Sequence, residues 1–196
     1  VRTGWRLVTA GVLGLLGIYL AAVWTTTGQR ADLALTGMVR AEGELAARLH
    51  DLLTLVGPWT MVPLAAVVVV AGTVVKGWRV GLAAAAGVAV CLVTPQVLKP
   101  VLPRPELAVT WPLPNSLPSG HTAAVIAVVV ALLIVVPRSR RRPVLVAGAL
   151  ASTMMGLLMV ALPHHRVSDV VASGAVGVLG YGVALLVRWA TTSTKT

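Results

Sequence analysis

Apolar runs of about 17 to 20 residues recur from one end of this sequence to the other, which makes lipid rather than water the solvent for most of its side chains. They fall at about 7–24, 58–75, 80–98, 120–136, 144–162 and 169–187. Each is near the length that a helix needs to cross a hydrocarbon core of about 30 Å. The expected fold class is therefore all-α: a polytopic bundle of six transmembrane helices, forming a single membrane domain over residues 1–196. Charged residues make up only 11% of the chain, so no polar stretch remains to build a separate soluble core. The first run follows Arg2 and Arg6, the charge layout of a secretory signal peptide. Its apolar part is longer than a signal h-region and no small-x-small cleavage site precedes polar sequence, so a retained helix is expected.

The formal net charge of +10 does not point to nucleic acid, because the basic residues form no single patch with interleaved aromatics. They sit in short loops. With a cytoplasmic N-terminus, Arg2, Arg6, Lys76, Arg79, Arg138, Arg140, Arg141, Arg142, Arg188 and Lys195 fall inside, whereas Arg30, Arg40, Arg48, Lys99, Arg104 and Arg166 fall outside. This is the bias expected of a multi-pass cell-membrane protein with both termini cytoplasmic. Every acid (Asp32, Glu42, Glu44, Asp51, Glu106, Asp169) and every histidine (His50, His121, His164, His165) then lies on the outer side, where any chemistry is expected. Trp5, Trp24, Trp59, Trp78, Trp111 and Trp189 mark ends of apolar runs, as ring systems that favour the headgroup region do. The lone Cys91 lies within an apolar run and offers neither an intrachain disulfide nor a cysteine-rich metal site. Between the first two spans, residues 25–57 carry Leu33, Leu35, Met38, Val39, Leu45, Leu49, Leu52 and Leu53 at near-helical spacing among charges. One or two amphipathic helices are expected there, along the membrane surface or capping the bundle, as a packing element or a lid.

Six of the twelve prolines fall between Lys99 and Pro118, which predicts a stiff, irregular outer loop. It opens with Lys99 and Arg104-Pro105 and closes with Pro118-Ser119-Gly120-His121 at the start of a new helix. Ser119 suits an N-cap, and Gly120 lets an anion approach the free N–H groups of the first turn, which suits phosphate. His165 and Asp169 are four residues apart, so a helix starting near His165 puts them on one side, where the carboxylate fixes the imidazole tautomer. Taken singly, Lys99 and Arg104 also suit headgroup-binding snorkelers, Ser119-Gly120 a plain helix start, and His165 with Asp169 a capping pair.

In this order and on one face, these residues resemble the type 2 phosphatidic acid phosphatase (PAP2) family. Its pattern is a lysine–arginine–proline segment, then Pro-Ser-Gly-His, then a histidine followed four positions later by aspartate. The resemblance covers roughly residues 58 to 187. It implies a metal-independent lipid phosphatase with no cofactor, acting on a membrane lipid phosphate or diphosphate. It implies further that His165 attacks phosphorus to form a phosphohistidine, that Asp169 orients it, and that His121 protonates the leaving alcohol. Lys99, Arg104, Ser119 and Gly120 would hold the phosphate oxygens. Two departures stand out. The family's first-motif arginine falls on Glu106, with Arg104 two positions sooner, and its third-motif Ser-Arg pair falls on Leu158 and Met159. Arg166 is the candidate replacement in phosphate binding, its other reading being an interfacial anchor. The competing expectation is a catalytically degenerate member that binds a phosphorylated lipid or serves as a subunit of a membrane assembly; a transporter is disfavoured by the absence of charge near any expected helix centre.

Overall fold

The computed structural model describes residues 1–107 and 115–193. Trp111 and Lys195, and with them one expected outer and one expected inner boundary marker, lie outside the described residues. The chain forms α1 (Arg2–Ile18), continued by a π-helical turn (Tyr19–Val23), then α2 (Thr26–Val39), α3 (Gly43–Val56), α4 (Pro58–Lys76) and α5 (Trp78–Val101). After the proline-rich loop come α6 (Gly120–Val135), a 3-10 turn (Arg138–Arg140), α7 (Arg141–Ala161) and α8 (Val167–Ser193). Among the described residues there is no strand.

All six apolar runs are helical, and the helical stretches 2–23, 43–76, 78–101, 138–161 and 167–193 are long and apolar enough to cross a membrane. The remaining one, α6, has 16 residues. It is apolar on every side and sits in the middle, packed against α4, α5, α7 and α8. Local signals set the boundaries. Pro58 occupies the first turn of α4, where its missing N–H costs nothing, and Gly77 at φ +91° makes the reversal into α5. Trp5, Trp24, Trp59, Trp78 and Trp189 are exposed at or near helix ends, as an interfacial belt requires.

Helices cannot be driven together by the hydrophobic effect in lipid, so close backbone approach carries the packing. α8 receives α1 and α5 on two glycine-lined faces. A Cβ on Gly11 would come within 2.7 Å of the Leu179 backbone nitrogen, and one on Gly180 within 2.9 Å of the Gly87 carbonyl oxygen. Because the atoms met by Gly11 are main-chain atoms of Leu179 and its Cβ, they cannot rotate away. Gly11→Ala is expected to destabilise the protein by about 1–3 kcal/mol through forced separation of α1 and α8. Thermal unfolding in detergent checks this, and an unchanged midpoint would show that the two helices separate freely.

Residues 25–57 hold two helices, and in α2 Gln29, Asp32 and Thr36 are buried, whereas Leu33, Leu35, Met38 and Val39 are exposed. With lipid as solvent, the polar face is the one that needs protein partners. It finds them at one end of the bundle. Gln29 Nε2 donates to the Val23 and Pro105 carbonyls at 2.8 and 2.7 Å, and Gln29 Oε1 accepts from Leu107 N at 3.2 Å. The Tyr19 hydroxyl donates to the Pro103 carbonyl at 2.6 Å. The proline-rich loop is thereby stitched to the first 40 or so residues of the chain on the side where α5 ends and α6 and α8 begin.

Candidate active site

The N-terminus of α8 leaves backbone N–H groups unpaired by its own carbonyls, and two carboxylates collect there. Asp169, in the first turn, reaches back so that Oδ2 accepts from Arg166 N at 3.0 Å, one half of a capping box. Asp32 arrives from α2 and its Oδ1 accepts from Ser168 N at 2.8 Å. Its Oδ2 also accepts from the Ser168 hydroxyl.

Helix α8 starts at Val167, two residues later than the sequence spacing suggests, because the cap is made at Arg166. The expected pair forms nonetheless, with His165 Nδ1 at 3.2 Å from Asp169 Oδ2. Both side chains are buried, Asp169 completely. A neutral imidazole in this contact carries its proton on Nδ1 and presents the Nε2 lone pair. Capping and orientation are thus two uses of one carboxylate. Asp169 is held further by the Ser116 hydroxyl, which donates to Oδ2 at 2.5 Å, and by Arg104, whose Nη1 lies 3.4 Å from Oδ1.

The Pro-Ser-Gly-His segment is pinned to the same turn. Ser119 N donates to the Asp169 carbonyl at 2.9 Å, and the Ser173 hydroxyl lies 2.9 and 3.0 Å from the Ser119 and Asp169 carbonyls. Ser119 is the N-cap of α6, its Oγ accepting from Thr122 N at 3.4 Å, as its residue type predicts. Lys99 lies in the last turn of α5, which continues through Pro100. A Cβ on Gly120 would sit 3.6 Å from Lys99 Nζ and 3.5 Å from Gln96 Nε2, so the ammonium lies directly over the first turn of α6. His121 follows, half-buried, near enough to His165 and Lys99 to feel their charge.

Arg104 and Arg166 both turn inward. Arg104 bridges two carboxylates, with Nη2 at 3.2 Å from Asp32 Oδ2 and Nη1 on Asp169. Arg166 is buried and its Nη1 donates to the Ser116 hydroxyl at 3.2 Å, a position that does not suit an interfacial anchor. Burial and then the neighbouring Arg104 charge push Arg166 down to about 10, against the pull of Asp169 and Asp32, so it stays charged at neutral pH. Leu158 and Met159, on the positions of the usual Ser-Arg pair, are buried in an apolar cluster with Leu53 of α3 and Val125 of α6. Glu106 is exposed.

Every candidate from the sequence, namely Lys99, Arg104, Ser119, Gly120, His121, His165, Arg166 and Asp169, therefore belongs to one end of the bundle. Asp32, Ser116 and Ser168 belong there too and were not foreseen. The available signal for Asp32 was a polar triplet, Gln29, Asp32 and Thr36, at i, i+3 and i+7 on one face of a helix.

The pattern of the PAP2 superfamily matches residues 76–193, well over half of the chain. The chain belongs to the PAP2 superfamily. Among curated proteins none matches it. Its fold is also that of a solved membrane protein, described as the first transmembrane PAP2 type phosphatidylglycerolphosphate phosphatase from Bacillus subtilis. The two share 20% identity at a TM-score of 0.68, over 100% of this chain and 98% of that one. This PAP2 chain is thus an all-helical, multi-pass membrane protein with the superfamily's three motif regions gathered at one place.

Beside that place runs an apolar groove of about 630 Å³ between α6, α7 and α8. Thr122 and Val167, neighbours of the two site histidines, line one part of it, and Leu133 and Tyr181 line another. Along α8 the distance from Val167 to Tyr181 corresponds to about 21 Å of helix.

Proposed function

We propose that this PAP2 protein hydrolyses the phosphate or diphosphate of a membrane lipid through a phosphohistidine on His165, without a metal. The observation that carries this reading is the contact of His165 Nδ1 with the wholly buried Asp169 carboxylate, beside a helix N-terminus overlain by Lys99. Nε2 of His165 attacks phosphorus, the bond to the lipid oxygen breaks, and His121 gives that oxygen a proton. Water then attacks the phosphohistidine, returns a proton to His121, and inorganic phosphate leaves. Lys99, Arg104, Arg166, the Ser119 hydroxyl and the Gly120 N–H serve the phosphoryl oxygens as charge accumulates. In this reading Arg166 stands in for the absent third-motif arginine. The apolar groove supports a substrate with a hydrocarbon chain, because its lining is mostly aliphatic and part of it lies beside the site.

The same reading takes residues 1–196 as one membrane domain with six spans, α6 being completed by the irregular segments at its ends. Both termini are cytoplasmic and the site faces outward, supported by the basic run Arg138 to Arg142 at the opposite end of α6. Phosphatidate, phosphatidylglycerol phosphate and polyprenyl phosphates form the test panel, with purified protein in detergent and EDTA present. Phosphate release from one of them is the expected result. A folded protein that binds one of these lipids and releases no phosphate would instead be the degenerate binder, the outcome favoured by the apolar Leu158 and Met159.

His121→Ala is expected to lower kcat on the lipid by about 10²–10⁴, the range of a lost general acid. The loss should shrink when an aryl phosphate with an acidic leaving group replaces the lipid, since that oxygen leaves without a proton. Equal losses on both substrates would assign His121 to binding rather than proton transfer.

A further inference from the structure

Asp32 lies outside both the motifs and the stretch that matches the superfamily. Its carboxylate is buried in the same cluster, although α2 supplies nothing else to the α8 N-terminus that is charged. The partners divide cleanly between its oxygens. Oδ1 accepts from Ser168 N, whereas Oδ2 meets the Ser168 hydroxyl and Arg104 Nη2. Arg104 in turn places Nη1 on Asp169, the residue that holds His165.

A guanidinium is planar and its nitrogens have a fixed fork, so anchoring Nη2 on Asp32 determines where Nη1 and its hydrogens point. Without that anchor Arg104 would be left beside the like charge of Arg166 with one carboxylate between them. Its loop position is also displaced by two residues from the superfamily pattern.

We propose that Asp32 is a positioning residue. It acts through Arg104, holding that guanidinium against Asp169 so that the shortened first motif still serves the phosphoryl site. The kinetic part of this inference rests on the phosphatase reading above; the geometric part does not. A residue that merely clamped the start of α8 would act with or without Arg104, and this difference makes the two roles separable.

The experiment is a double-mutant cycle of Asp32→Asn and Arg104→Gln in the full chain, purified in detergent, with folding followed by thermal unfolding. Asparagine keeps an acceptor for Ser168 N and removes the charge that holds Arg104. Asp32→Asn alone is expected to lower kcat by about 10-fold or more and to change KM by less than about 3-fold, while in the Arg104→Gln background it costs less than about 2-fold. Orthovanadate affinity reads the same cycle without turnover, with about a 10-fold loss expected only where Arg104 is present. Equal losses in both backgrounds, or no loss in either, would overturn the proposal. If the parent binds vanadate but releases no phosphate from any lipid, the phosphatase reading falls and the vanadate cycle still decides the role of Asp32. A parent that neither releases phosphate nor binds vanadate overturns both. Should Asp32→Asn not fold, Asp32→Glu takes its place, since the extra methylene displaces Arg104 while keeping the charge, with the same two-background comparison.

Discussion

His165→Ala is expected to release phosphate from the lipid at least about 10³-fold more slowly than the parent, the scale of losing a nucleophile whose partners remain in place. Alanine removes the only atom proposed to bond to phosphorus, and water would have to replace it in a pocket arranged around an imidazole. The parent should also trap an acid-labile, alkali-stable phosphoenzyme when mixed rapidly with substrate, and the variant should trap none. His164→Ala is the internal comparison. His164 has Ser168, not a carboxylate, four residues on, and its ring lies 6.1 Å from that of His50 on α3. It should leave turnover near that of the parent. Because His165 is buried, its removal also opens a small cavity, so thermal unfolding must accompany the assay. A folded His165→Ala protein that turns over like the parent would remove the phosphohistidine mechanism altogether.

The parts of this site that could be read from the sequence are those in which short spacing becomes short distance. A histidine and an aspartate four residues apart meet even though the helix begins only at Val167, because Asp169 reaches back over the first turn to the Arg166 N–H and so meets the ring beside it. Ser119 caps α6 for reasons local to its own turn. The placement of Arg104 was not legible in the same way. Its position depends on a carboxylate 72 residues away in sequence, and nothing local announces that α2 docks on the proline-rich loop. In a lipid-solvated chain the informative residues of that helix are the polar ones, since a buried polar group must find a partner and an outward leucine need not. Leu158 and Met159 raise the same point from the other side. Read as missing arginine, they suggest loss of function; in the fold they complete an apolar cluster with α3, and a buried positive charge, Arg166, lies seven residues beyond Met159.

Asp169→Asn should be nearly as damaging as loss of the nucleophile, with kcat lowered by about 10⁴, by analogy with an orienting aspartate whose replacement leaves the histidine in the wrong tautomer. The carboxylate has four partners here, each a donor: His165 Nδ1, the Ser116 hydroxyl, Arg166 N and Arg104 Nη1. An acceptor-only group satisfies them all. An asparagine has one acceptor oxygen and an NH₂ that must face at least one of these donors, so whichever way it turns, one contact becomes repulsive. Turned with its NH₂ in the place of Oδ2, it presents N–H to His165 and favours the tautomer with the lone pair on Nδ1, leaving Nε2 protonated and unable to attack; turned the other way, it sets N–H against Arg104 Nη1. The positive charge that develops on the ring as the bond to phosphorus forms also loses its counterion. The variant should therefore form phosphoenzyme slowly, with KM changed little, and its stability should fall by about 1–3 kcal/mol for the unsatisfied buried contact. If turnover instead stays within about 10-fold of the parent while stability drops by that amount, the carboxylate is a helix cap and His165 takes its tautomer from elsewhere.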